Sequence, residues 1–145
     1  MGVMCMFSTP KNGWVDITIG NWSDRASYLT NPHLDFLDAF VDILTTKVTT
    51  SVFCDAEGWI YNVVLNDYIV YIVTDKEDVS VCSCDVNMHK LVREACDDIS
   101  RDIDAWSMWS YLDDTPERVS KARAKIRRKL KKVYDLLEAS KGNGY

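Results

Sequence analysis

The sequence predicts an α+β domain, a largely antiparallel sheet in the order β-α-β-β-β-β-α-α with helices packed on it and a C-terminal antiparallel helix pair. Three features of the chain point there. Residues 13–20, GWVDITIG, alternate apolar and polar positions, as a strand with one buried face does. Residues 33–46 and 115–140 instead repeat their apolar positions every three or four, the period of a helix packed on one side. Between these helical stretches lie four β-branched or aromatic runs, VTTSVFC, WIYNVVL, YIVYIVT and VSVCSC, separated by DAEG, ND and DKED. Such short connectors permit only hairpins, because a parallel crossover needs about a dozen residues or more.

Along the first strand, Val15, Ile17 and Ile19 share one face and Trp14, Asp16 and Thr18 the other. NWSDRASYLTNP follows and reads as a loop, ending in Asn31 as helix N-cap and Pro32 at the first helical position, where its missing N–H costs nothing. The helix HLDFLDAFVDILTT carries Leu34, Leu37, Val41 and Leu44, widened by Phe36, Phe40 and Ile43, with Asp35, Asp38 and Asp42 opposite. The meander then occupies residues 48–84, and its WIYNVVL strand places bulky side chains on both faces. Asp85 is the expected cap of a helix running to about Ser110, with Met88, Val92, Ala95, Cys96, Ile99, Ile103, Trp106 and Trp109 as its stripe. LDDTPE breaks it, and Thr115, Pro116 and Glu117 open the last helix as N-cap, first residue and first-turn acid. Val119, Ala122, Ile126, Leu130, Val133 and Leu137 form its seam, which ends near Ser140. Residues 1–12 and 141–145 are expected as loose ends of one domain spanning 1–145.

With 145 residues, 47% hydrophobic and 27% charged, the chain suits one core. Five cysteines, an odd number, and a start without a basic and apolar leader predict reduced thiols in a cytoplasmic compartment. No apolar run approaches the roughly 18 to 20 residues that span a bilayer, so no membrane partner is expected.

Charge is divided unevenly. Residues 1–117 hold 7 basic and 20 acidic residues, a net of −13, and residues 118–145 hold 10 basic and 2 acidic, a net of +8. Nine of the fifteen positions from Arg118 to Lys132 are Lys or Arg. Like charges at i and i+4, as in Lys121/Lys125/Lys129, destabilise an isolated helix by about 0.2 to 0.5 kcal/mol each, so the cluster needs an outside answer. In an antiparallel hairpin with the preceding helix, Lys125 falls opposite Asp102, Lys129 opposite Asp98 and Lys132 opposite Glu94; at least one of these ion pairs is expected. Lys121, Arg123, Arg127, Arg128 and Lys131 are then left for a partner, which makes them the candidate patch if the chain binds nucleic acid.

Signals of chemistry are few. His33 and His89 have no carboxylate or thiol at metal-ligand spacing, and Cys82 and Cys84 share a strand face without a second pair, so no metal, cofactor or catalytic residue is assigned. Asp55 and Glu57 sit in DAEG, where Asp55 bonding the backbone and Gly58 taking a positive φ is ordinary turn chemistry. Those two acids, with Asp24, Asp67, Asp75, Glu77 and Asp78, nevertheless present negative charge to any partner. Trp22, between Asn21 and Ser23, is either an interface anchor or a core insertion from the loop.

Trp14, Ile17, Ile19-Gly20, Ser27-Tyr28-Leu29, Leu34, Phe36-Leu37 and the turn Asp55-Ala56-Glu57-Gly58-Trp59 together resemble small bacterial immunity proteins of polymorphic-toxin or contact-dependent growth-inhibition systems. The resemblance covers residues 14–74. It implies a non-enzymatic cytoplasmic protein that binds one cognate toxin domain tightly, and it assigns no individual binding residue. Many such toxins are nucleases with basic clefts, to which an acidic inhibitor is steered electrostatically. The alternative is a nucleic-acid-associated protein of a phage or mobile element that uses the basic helix, with an enzyme of another type ranked last.

Overall fold

The computed structural model describes residues 5–110 and 115–141. Its elements are β1 (Trp14–Ile19), β2 (Trp22–Ser27), α1 (Pro32–Thr45), β3 (Thr50–Asp55), β4 (Ile60–Leu65), β5 (Ile69–Asp75), β6 (Val79–Asp85), α2 (Met88–Arg101), α3 (Ile103–Ser107) and α4 (Pro116–Lys141). The α+β class holds: β3-β4-β5-β6 is a four-stranded antiparallel meander, and β1-β2 forms a second, two-stranded sheet. Val52, Cys54, Tyr61, Val63, Leu65, Val70 and Ile72 line the buried face of the meander. They share one core with Phe36, Phe40 and Ile43 of α1, Val92, Ala95 and Ile99 of α2, and Ile126, Leu130, Val133 and Leu137 of α4.

Residues 22–27 depart from the sequence reading. They are not a loop but β2, paired antiparallel with β1 from Ile19↔Trp22 to Trp14↔Ser27. The two-residue turn opens with Gly20 at φ 58°, the backbone that a primed hairpin turn requires and glycine adopts freely. A side chain there would also meet Cys84, since a Cβ would lie 3.2 Å from its Sγ. The polar strand is held by contacts far along the chain. Trp22 packs edge-on against Tyr61, with ring centroids 5.2 Å apart, and the Tyr61 hydroxyl donates to the Arg25 carbonyl at 2.9 Å.

The helix expected from Asp85 to Ser110 is also corrected, at both its start and its middle. Asp85 still belongs to β6, where it pairs with Ile69, and the cap is Asn87, whose side-chain oxygen accepts from the Lys90 N–H at 3.0 Å. At Asp102 the backbone leaves helical geometry (φ −110°, ψ 32°), separating α2 from α3. Its carboxylate there accepts from Arg101 at 2.8 Å and from the Thr9 hydroxyl at 3.0 Å. The cap of α4 is the expected one, with Thr115 Oγ1 accepting from the Arg118 N–H at 3.3 Å. The first half of the LDDTPE break, residues 112–114, lies outside the described residues, as do residues 1–4, 111 and 142–145.

The described part of the N-terminal segment is not a loose end. Met6 and Phe7 are fully buried, and Phe7 forms a bridge with Ile17 while the Thr18 N–H donates to the Met6 carbonyl at 2.8 Å. What fixes the segment is Asp98 on α2. This carboxylate, in a residue only 4% exposed, accepts the Met6 N–H at 2.7 Å and the Phe7 N–H at 3.0 Å. Arg101 Nη1 completes its coordination at 3.0 Å. Replacing Asp98 with Ala leaves two buried backbone donors without an acceptor, each worth about 1 to 3 kcal/mol. Urea unfolding of Asp98→Ala should therefore show a loss on the order of 3 kcal/mol, whereas Asp97→Ala, at an exposed neighbouring position, should lose much less.

Candidate functional site

Antiparallel register brings most of the candidate acids together. Asp55, Ile60, Asp75 and Val79 form one cross-strand row, so the β3–β4 and β5–β6 turns project from the same end of the sheet. In the first turn Asp55 Oδ1 accepts the Glu57 N–H at 2.7 Å, and the Ala56 N–H donates to the Trp59 carbonyl at 2.9 Å. Glu57 (φ 52°) and Gly58 (φ 146°) take the positive φ that this tight reversal demands. Glu57 and the acids of the second turn, Asp75, Glu77 and Asp78, are exposed.

Trp59, which follows the first turn, ties this end to the small sheet. Its indole N–H donates to Asp24 Oδ2 at 2.8 Å, the Arg25 guanidinium lies 4.6 Å from its ring centroid, and Lys76 Nζ lies 4.2 Å from it. Arg25 also lies 5.0 Å from the Trp14 ring. Asp24 is thus already engaged, taking the Arg25 N–H at 2.7 Å as well, and it shapes the site from behind rather than offering a free carboxylate. Six carboxylates (Asp24, Asp55, Glu57, Asp75, Glu77, Asp78) face two cations, Arg25 and Lys76, that are stacked on indoles. The end is strongly negative.

Beside it lies the outer face of the meander, which no described element covers. Phe53, Asn62, Val73 and Val81 form one row across it, and Ser51, Val64, Tyr71 and Ser83 the next. Phe53 is 43% exposed, Tyr71 40%, and Val79 and Val81 65% each. The result is an apolar patch with a centre of one amide and a rim of carboxylates. Alternation along WIYNVVL signalled two bulky faces, but not that one would be open.

Trp22 and Asp67 stand apart from this surface. Trp22 is half-buried against Tyr61, the core insertion of the two readings of that residue. Asp67 lies in the β4–β5 turn at the opposite end of the sheet, 4.0 Å from Lys47 Nζ, in a cleft also lined by Tyr68, Met88 and His89.

The basic helix is answered, but not by the acids expected. Among the described residues Lys125, Lys129 and Lys132 make none of the predicted ion pairs with Asp102, Asp98 or Glu94. Lys129 instead pairs with Asp38 of α1, and Arg123 with Asp104 of α3 at 2.8 Å. The antiparallel direction was right: Arg93 meets Glu138 at 3.3 Å and the Tyr134 hydroxyl donates to Asp97 at 2.6 Å. The facing was wrong, because Asp98 is turned inward to Met6 and Phe7, and the cationic flank of α4 lies along the aspartate side of α1. Of the five cations left over in the sequence reading, Lys121 pairs with Glu117 at 3.3 Å, Lys131 with Asp135 at 2.7 Å, and Arg123 as above. Arg127 and Arg128 make no ion pair among the described residues, nor do Lys125 and Lys132. Arg128 and Lys132 line a groove between α1 and α4 with Asp38 and Asp42.

The thiols and imidazoles have structural surroundings. All five cysteines are free; burial pushes the Cys54 and Cys96 thiols up to about 12, and Cys84 Sγ lies 3.4 Å from the Ile19 carbonyl. Among the described residues no three His, Cys, Asp or Glu converge to hold a metal ion, and no described helix is long and apolar enough to cross a membrane. His33 stacks on Trp106 with centroids 4.3 Å apart, beneath α4.

No protein-family model, curated protein or solved structure matches this chain.

Burial, and secondarily the charge of Lys125, lowers His33 from 6.5 to about 3. The unfolded chain therefore binds a proton at this site that the folded chain refuses. The contribution of neutral His33 is complete above 6.5 and drains away as pH falls from 6.5 towards about 3. Between pH 6.5 and roughly 5, before most carboxylates titrate, unfolding free energy should fall with a slope approaching about 1.4 kcal/mol per pH unit. Urea titrations of His33→Phe should lack that slope in the same window.

Proposed function

We propose that this chain is a non-enzymatic immunity protein that binds and neutralises a cognate bacterial toxin domain, one with a basic substrate cleft such as a nuclease has. The observation that carries this reading is the juxtaposition of the acidic sheet end with the open apolar face. Stable protein interfaces combine an apolar centre with a polar rim, and here the rim has one sign of charge. A cationic cleft would be attracted to the carboxylates of Glu57, Asp75, Glu77 and Asp78 before contact and desolvated against Phe53, Tyr71 and Val81 after it. The resemblance of residues 14–74 to immunity proteins supports the same reading.

A second reading remains for one reason: Lys125, Arg127, Arg128 and Lys132 form a run of cations on α4 without ion-pair partners among the described residues. On it, the chain associates with nucleic acid through phosphate contacts and loses affinity steeply with salt.

The deciding measurement is capture of the toxin domain encoded by the neighbouring upstream gene, followed by titration calorimetry. Glu77→Lys with Asp78→Lys should weaken binding by about tenfold or more and slow association, most visibly at low salt. Arg127→Glu with Arg128→Glu should leave it unchanged. Failure to bind any toxin domain encoded there counts against immunity. Absence of DNA and RNA binding by fluorescence anisotropy at low salt removes the second reading.

A further inference from the structure

We propose that the free edge of β6 is where the partner docks, by adding an extended segment with apolar residues at its centre and Lys or Arg at both ends. The inference rests on the toxin-binding reading and specifies how the partner is held. β6 is the last strand in the order β3-β4-β5-β6, and among the described residues nothing pairs with its outer side. The other edge of the meander is different, because β3 lies beside β2.

Edge strands normally carry devices against pairing, such as Lys, Pro or a bulge. β6, VSVCSCD, contains no Lys, Arg or Pro. It pairs with β5 without interruption from Asp75↔Val79 to Ile69↔Asp85, so no bulge twists the edge away. It is also braced from the inner side at its C-terminal end, where Cys84 Sγ lies 3.4 Å from the Ile19 carbonyl, beside Gly20 of the β1–β2 turn. A braced strand loses little freedom when another strand joins it. Val79 and Val81 point to the outer face at 65% exposure, and a joining strand would cover them and lengthen the row Phe53, Asn62, Val73, Val81.

Charge selects the occupant. Asp78 stands just before the strand and Asp85 closes it, with Asp75 and Glu77 in the adjoining turn. A second copy pairing antiparallel about Cys82 would set Asp85 of each chain opposite Val79 of the other, one residue from its Asp78, and an in-register parallel copy would bring Asp85 beside Asp85. Like charges in such positions oppose pairing. A segment with cationic ends answers both.

The probe is the labelled peptide Lys-Val-Thr-Val-Thr-Val-Lys, added to the full chain at low salt and followed by fluorescence anisotropy and hydrogen exchange. Saturable binding with new protection of the β6 amides is expected. Val81→Lys, at an exposed position, should weaken it by about tenfold, as should exchanging the terminal Lys of the peptide for Glu. No binding, or binding without protection in β6, overturns the proposal. So does a dimer of the protein alone in sedimentation equilibrium whose β6 amides are already protected. If the toxin domain is captured without new protection of the β6 amides, the edge proposal fails and the immunity reading stands. If the peptide binds as described but no toxin domain is captured, the edge is upheld and the immunity reading fails.

Discussion

The contact on which the rest depends is the buried carboxylate of Asp98. An anion inside a protein is tolerated only when its lone pairs are met, and here two backbone N–H groups and a guanidinium meet them. The anion thereby nails the N-terminal segment to α2. That segment in turn bridges to β1, β1 pairs with β2, and β2 hands Asp24 and Arg25 to Trp59 at the acidic end. One carboxylate therefore links helix α2 to a surface formed by residues 24 to 81.

The layers explain why that surface is asymmetric. A single sheet with all its helices on one side must leave its other face to water, which antiparallel sheets tolerate when that face is polar. In this meander the exposed side keeps Phe53, Tyr71, Val79 and Val81. Apolar groups kept at a cost in solubility, beside turns whose acids form few internal bonds, are consistent with a surface built for another molecule. Charge on α4 is handled differently, by pairing with Asp38, Asp104, Glu117 and Asp135 inside the same chain.

Legibility in the sequence followed the range of the interactions. β3 to β6 could be placed because β-branched runs and short turns are local signals, and α1 and α4 because their apolar period and proline starts are local too. β2 was hidden: Ser23, Asp24 and Arg25 resemble a loop until Trp59 and Tyr61, some 35 residues later, supply their partners. The break at Asp102 was hidden for the same reason, since Thr9, one of its partners, is 93 residues away. For the candidate site, the acids of the two turns were visible in composition. Their common end needed the strand register, the open apolar face needed the helices to be placed, and the exclusion of Asp67 needed both.

The separation of charge has a mechanical consequence. Cations are concentrated on the helical layer and carboxylates at one end of the sheet, so the molecule is an electric dipole as well as a net anion. In the field of a positively charged body it experiences a torque, and it turns its sheet end forward while still at a distance. The cations on α4 without ion-pair partners among the described residues, Lys125, Arg127, Arg128 and Lys132, then act as a rudder, setting the orientation in which the protein arrives.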